Sequence, residues 1–236
     1  ADYGVVISAS HNSGEYNGIK VFNSEGYKLG DKEEERIERC FIHEKTNDFP
    51  DIGSYEQDLH LIKRYREFLL NAVEHSFAGK TIVLDGAFGA AHRIAPDVFR
   101  RAGASVIAAN CVDDGLSINR NCGAVYPHNL ARKVLRYKAD MGFAFDGDAD
   151  RLIAVDEHGD VIDGDMILCA LAKYFDAQGK LPCRTAVGTS HTNMAIENDL
   201  KAHGISLVRT DIGDKYVLAR LLEKGYSLGG EQSGHI

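Results

Sequence analysis

The chain has 236 residues, enough to bury a substantial core in one or two domains. Its makeup is that of an ordinary globular protein, 44% hydrophobic and 26% charged. A net charge of −8 argues against a nucleic-acid scaffold, and no apolar run reaches the length of a membrane span, so neither partner is expected.

Five cysteines, Cys40, Cys111, Cys122, Cys169 and Cys183, are scattered and none forms a C-x-x-C pair. That usage predicts reduced thiols of a cytoplasmic protein rather than zinc ligands or disulfides. The chain starts at Ala1 almost directly in a strand-like run and stops at Ile236 after a glycine-rich loop, which predicts a fragment of something longer.

In chain order, Val5–Ser8 reads as a buried strand and Gly18–Phe22 as a second one after a polar loop. Asp31–Ile42 carries charges at helical spacing, and the 48–53 stretch breaks that pattern. Ser54 and Gln57 have the spacing of a capping box. The helix they would open places Leu59, Ile62, Tyr65, Leu69 and Val73 on one face, a predicted core stripe. Phe77–Lys80 reads as a domain boundary.

Beyond it, predicted strands at Thr81–Asp85, Ala104–Ala108, Met141–Phe145 and Arg151–Asp156 alternate with helices at Ala90–Arg101, Asn129–Lys138 and Asp165–Phe175. After a linker-like stretch at 177–182 come strands Thr185–Gly188, Ile205–Arg209 and Tyr226–Leu228, with helices Asn193–His203 and Asp214–Lys224. The rhythm predicts an α/β fold of successive α/β/α subdomains with mixed, largely parallel sheets. The expected boundaries are 1–77, 78–178 and 179–236.

Asp146-Gly147-Asp148-Ala149-Asp150 follows a buried strand. On an extended strand alternate carboxylates would stand about 7 Å apart, so converging on one ion requires a curled loop, which Gly147 permits. Oxygen-only ligation suits a hard cation such as Mg²⁺ or Ca²⁺. An exposed acidic turn is the plainer alternative. An EF-hand is excluded because Arg151 stands where its turn needs glycine and strands flank the loop. A phosphatase with Asp146 as nucleophile is the rival that remains.

Ser8-Ala9-Ser10-His11-Asn12 offers hydroxyls and an imidazole, and Lys20 follows shortly, a set suited to phosphate. No G-x-S-x-G elbow supports a hydrolase triad. Asp85–Ala91 lacks the spacing of a nucleotide-binding loop, so its glycines predict tight packing. The 119–123 stretch resembles a loop of a known family but shows no independent chemistry. His191 and His203 read as ordinary surface or core histidines.

Four blocks in order, SASHN with YNGIK (8–12, 16–20), DGDADR (146–151), RTDIGDKYV (209–217) and GGEQSGHI (229–236), resemble the α-D-phosphohexomutases, most of all the branch acting on glucosamine phosphate. The resemblance covers essentially the whole chain. It implies that Ser10 carries the phosphoryl group and that Asp146, Asp148 and Asp150 hold Mg²⁺ together with a phosphate oxygen of Ser10. Lys20 and Arg151 would serve proton transfer and charge stabilisation, and His11 would order the phosphate. Glu231 and Ser233, with Gly213, Asp214 and Lys215 nearby, would bind the sugar. It further implies a phosphoserine enzyme, a sugar bisphosphate intermediate, a phosphosugar substrate and a homodimer in the full-length protein.

Two positions depart from the family pattern. Ser13 replaces a proline, and Ala149 replaces a glycine, which strains the loop by about 1 kcal/mol if that residue needs positive φ. Segments expected at both ends of the family are missing, so the isolated chain is expected to turn over little or no substrate.

Overall fold

A computed structural model describes residues 1–43 and 53–236. The 48–52 part of the predicted pattern break lies outside the described residues. The chain forms two compact units. One comprises 1–8 and 18–72; the other comprises 9–17 and 73–236.

In the first unit, β1 (Gly4–Ser8) and β2 (Gly18–Phe22) pair antiparallel, with Val6 opposite Lys20. Helices α1 (Asp31–His43) and α2 (His60–Asn71) follow. The capping box is not formed. Helix α2 begins six residues after Ser54, and the Asp58 carboxylate accepts the His60 N–H at 2.8 Å instead. Aspartate two residues before a helical N–H meets the same need by a shorter path. The predicted core stripe is also not buried. Leu59, Ile62 and Tyr65 are 63%, 57% and 54% exposed, and α2 contains no buried residue. Periodicity marks an apolar face but does not supply a cover for it.

In the second unit, β3 (Thr81–Asp85), β4 (Ser105–Ala109), β5 (Met141–Phe145), β6 (Leu152–Asp156) and β7 (Val161–Ile162) form one sheet in the order β4-β3-β5-β6-β7. β3 runs parallel to β4 and β5, whereas β5–β6 and β6–β7 are antiparallel, so this sheet is mixed. Alternation along β3 sends Ile82 and Leu84 to the face covered by α3 (Ala91–Arg101) and Val83 to the face covered by α4 (Pro127–Tyr137). Gly142 on β5 lies under Leu130 and Val134, where a Cβ would meet the Val134 side chain at 2.7 Å. That small residue lets α4 close onto the sheet.

A second layer contains α5 (Gly164–Ala177), β8 (Thr185–Thr189), α6 (Met194–Ala202), β9 (Ser206–Thr210) and α7 (Asp214–Lys224). β8 and β9 are parallel and joined through α6. Leu168, Ala172, Ala186, Leu200 and Ile205 form its core. The predicted strand Tyr226–Leu228 is reduced to a parallel bridge between Gly229 and Val187, with Val187 N–H donating to the Leu228 carbonyl at 3.0 Å. Pro96 stands inside α3 as its sequence position predicts. All five cysteines are free thiols. No helix among the described residues is long and apolar enough to cross a membrane.

Candidate metal and phosphoryl site

β4, β3 and β5 are mutually parallel, so the segments following them leave from one edge of the sheet. Carboxyl ends of parallel strands are where open α/β sheets hold ligands. Here the 85–91, 110–126 and 146–151 segments meet the serine loop, residues 9–17, within the second unit.

The acidic loop is curled. Asp146, Asp148 and Asp150 each offer an oxygen, all within 4.8 Å of one another. Asp146 is completely buried; its Oδ1 accepts the Arg151 N–H at 3.1 Å, while no hydrogen-bond donor reaches its solvent-shielded Oδ2. Burial, together with the Asp150 and Asp148 charges, pushes the Asp146 carboxyl up to about 7, against the pull of Arg151. A hard cation would remove both the burial penalty and the mutual repulsion, so this oxygen-only set fits one. The bend falls at the position whose departure from the family's glycine raised the question of strain. Positive φ falls at Ala149 (φ 61°), not at Gly147. The strained residue is therefore the one that departs from the family's glycine.

Gly147 is needed for close approach. Its N–H donates to the Ser10 carbonyl at 3.1 Å, and its Cα faces that carbonyl so closely that a Cβ would collide with it and with Ile118 at 2.6 Å. On the other side Ala90 N–H donates to the Gly147 carbonyl at 2.8 Å, and Gly89 admits the same strand of backbone. The glycines of 85–91 thus serve packing, as their spacing predicted. Ser10 itself has φ 51°. The serine and the three aspartates are brought together, with His11 exposed at the rim of a cavity lined also by Asn12, Asn119 and Tyr126.

Arg151 is half-buried with Nε 3.9 Å from Asp150 Oδ1. Lys20 is half-buried on β2 in the first unit.

The residue after Arg151 reaches the GGEQSGHI loop directly, because Leu152 N–H donates to the Gly234 carbonyl at 2.9 Å. Gly164 N–H donates to the Gln232 carbonyl at 3.0 Å, and Gln232 Nε2 donates to Asp163 at 3.3 Å. Glu231 Oε1 accepts the Gly213 N–H at 2.9 Å, and His235 Nε2 lies 3.9 Å from Asp214. Ser233 Oγ is shielded from solvent without a hydrogen-bond partner. Lys215 Nζ lies over the Tyr216 ring at 5.2 Å, a cation–π contact. The residues expected near the sugar, Glu231 and Ser233 with Gly213, Asp214 and Lys215, are therefore gathered on the 229–236 loop and the start of α7, which touch through the Glu231–Gly213 bond.

Sequence reasoning missed Asn119, which is 4% exposed and donates from Nδ2 to the carbonyls of Ser10 at 2.6 Å and Asn12 at 2.7 Å. A lone asparagine in a polar loop carries no signal of such a long-range contact. It also missed Asp165, 1% exposed, whose carboxylate accepts the Asn193 N–H at 2.8 Å and is raised by burial.

A hydroxyl-bearing turn seated beside three clustered carboxylates, one of them buried, at the carboxyl edge of an α/β sheet, defines an α/β protein whose oxygen-only cluster fits a hard cation. Family models of phosphoglucomutase/phosphomannomutase α/β/α domains I, II and III match residues 1–48, 63–159 and 163–236, and the chain belongs to that family. Among curated relatives, the phosphoglucosamine mutases of Alkaliphilus oremlandii and Caldanaerobacter subterraneus subsp. tengcongensis are 46% and 48% identical over 240 and 239 residues. Each match covers 100% of this chain and 54% of the relative, so the chain spans about half the length of those proteins. A phosphoglucomutase/phosphomannomutase family protein from Burkholderia thailandensis has the same fold, with a TM-score of 0.83 and 27% identity over 99% of this chain and 50% of that one. An Aspergillus fumigatus N-acetylphosphoglucosamine mutase, solved with GlcNAc-6P and magnesium, shares the fold at a TM-score of 0.68 and 20% identity, covering 99% of this chain and 60% of that one.

Proposed function

We propose that the complete protein carrying this chain is a Mg²⁺-dependent phosphohexomutase that interconverts glucosamine 6-phosphate and glucosamine 1-phosphate. The observation that carries the reading is the seating of the Ser10 turn on the 146–150 loop through the Gly147–Ser10 hydrogen bond of 3.1 Å. The names of the bacterial relatives support the glucosamine substrate, and the fungal complex with GlcNAc-6P and magnesium supports a hexosamine phosphate and this metal. A second Aspergillus fumigatus complex, with glucose 1,6-bisphosphate, supports a bisphosphate intermediate.

In this reading a sugar hydroxyl oxygen attacks the phosphorus of phospho-Ser10 as the bond from phosphorus to the serine oxygen breaks, and Lys20 takes the hydroxyl proton and passes it to the departing Ser10 oxygen. The resulting bisphosphate turns over and returns its other phosphate to Ser10, so the enzyme ends as it began. Asp146, Asp148 and Asp150 hold Mg²⁺, which when bound neutralises charge on the phosphoryl oxygens. Arg151 adds its guanidinium to the same task, its backbone fixed by Asp146. His11 orders the phosphate, and Glu231 and Ser233, placed by Gly213 and Asp214, select sugar hydroxyls. Residues 1–77, 78–178 and 179–236 carry the serine, metal and sugar loops respectively. The isolated chain is expected to be nearly inactive.

The test is turnover of the full-length protein on glucosamine, glucose and mannose 6-phosphates with Mg²⁺ and a trace of glucose 1,6-bisphosphate, followed by phosphorus NMR. Fastest conversion of the glucosamine substrate and phosphoserine at Ser10 are expected. A faster glucose or mannose substrate would move the protein to the phosphoglucomutase/phosphomannomutase branch. A base-labile acyl phosphate on Asp146 would instead establish the phosphatase.

A further inference from the structure

We propose that Asn119 is a positioning residue for Ser10, acting through the Ser10–Asn12 turn and not through the metal ligands. The inference rests on the functional reading above. Its basis is a chain of buried and half-buried hydrogen bonds that joins four loops. Asp85, completely buried at the end of β3, accepts the Ala87 N–H and the Asn110 side-chain amide, each at 3.0 Å. The Ala87 carbonyl accepts the Asn119 N–H at 3.0 Å. Asn119 Nδ2 then donates to both Ser10 and Asn12 carbonyls, and Gly147 N–H supplies a second bond to the Ser10 carbonyl. Both contacts of the Asn119 amide are carbonyl oxygens, so its nitrogen must face them.

The same loops carry unusual backbone. Ser10, Ala87, Phe88, Asn110, Asn119, Asn121 and Ala149 all have φ between 50° and 61°. Such conformations persist only where surrounding bonds hold them, and they collect at functional sites. A serine gains nothing intrinsic from φ 51°, so the turn needs an external anchor. Asn119 provides one footed, through Ala87, at the end of β3. It bonds only main-chain oxygens of the turn, so it governs where the Ser10 hydroxyl stands without being a ligand.

The experiment uses the full-length protein with Asn119→Gly and Asn119→Asp. Glycine tolerates the positive φ while deleting both donors, and aspartate keeps the shape while turning a donor into an acceptor. Both are expected to lower kcat on glucosamine 6-phosphate by about 100-fold, the scale of a misplacement near 1 Å. KM, and the Mg²⁺ affinity of the unphosphorylated protein, should stay within about threefold, because Glu231 keeps its Gly213 contact and the three carboxylates are untouched. Amide hydrogen exchange should quicken in a peptide covering 8–14 and stay unchanged in β8 and β9. Arg120→Ala, one residue away and exposed, should match the parent.

A folded Asn119→Gly protein with kcat within about threefold of the parent overturns the proposal. So does full activity in Asn119→Asp, or a loss of Mg²⁺ affinity parallel to the loss of rate. Failure of both variants to fold would assign Asn119 to stability and overturn it as well. The functional reading fails separately, if the parent protein itself never carries phosphate on Ser10, and the positioning role falls with it.

Discussion

Replacing Asp146 with asparagine removes one charge from a cluster that is strained when no cation is bound. The Asp146 carboxyl is raised from the usual 3.8 to about 7, chiefly by burial and then by Asp150 and Asp148. An acid whose folded value is raised holds its proton in the native state after the unfolded chain has released its own. Stability is therefore unpenalised below the unfolded value near 4. It is lost as pH climbs through the window up to about 7, and the full penalty applies above that. The shift corresponds to roughly 4 kcal/mol at full development, and new amide contacts replace only part of the old ones. The introduced asparagine would still accept the Arg151 N–H through its carbonyl, and its amide would face the other carboxylates as a donor. At pH 8 in chelator, Asp146→Asn should stabilise the second unit by about 2–3 kcal/mol, which is roughly 4–12 °C in melting temperature. At pH 4.5 the gain should shrink towards zero. Added Mg²⁺ should stabilise the parent and not the variant, and the variant should not turn over. Calorimetry at both pH values, with and without Mg²⁺, together with a turnover assay, measures all of this. An unchanged or lower metal-free melting temperature at pH 8 would refute the account of the site as a cluster awaiting a cation.

Gly147→Ala should cost about 2–4 kcal/mol and abolish activity, because the added methyl meets the Ser10 carbonyl and Ile118; denaturant unfolding with a kcat measurement checks it. Ala149→Gly relieves about 1–2 kcal/mol of left-handed strain against about 0.4–1 kcal/mol of added chain freedom. A net gain near 0.5 kcal/mol is expected, and a loss above 1 kcal/mol would show that the methyl's packing on the α3 side matters more. Ser13 has φ −69° and ψ 157°, values that proline adopts freely. Ser13→Pro should therefore raise stability by about 0.4–1 kcal/mol with activity retained, and a fall in melting temperature would contradict it.

Element type was legible wherever period and length agreed. Met141–Phe145 and Asp214–Lys224 were read to the residue, since an alternating strand and an amphipathic helix advertise their periods locally. The α2 face was legible as a stripe yet is exposed, because burial depends on what stands opposite. The Tyr226–Leu228 strand was over-read because one bridge at Gly229, not its side chains, makes the pairing. The acidic loop announced itself through three carboxylates after a buried strand, and the serine through its family motif.

What the chain alone determined was the inventory: the elements, the carboxylates, the candidate serine and the glycines near them. Only the tertiary structure decided which of these meet. It set Gly147 under the Ser10 carbonyl, established the positive φ at Ala149, and revealed Asn119 as the residue spanning three loops. The reason is physical. Periodicity and capping act within a few residues, whereas the contacts that build this site join positions 107 and 109 residues apart in sequence, and no local preference records them.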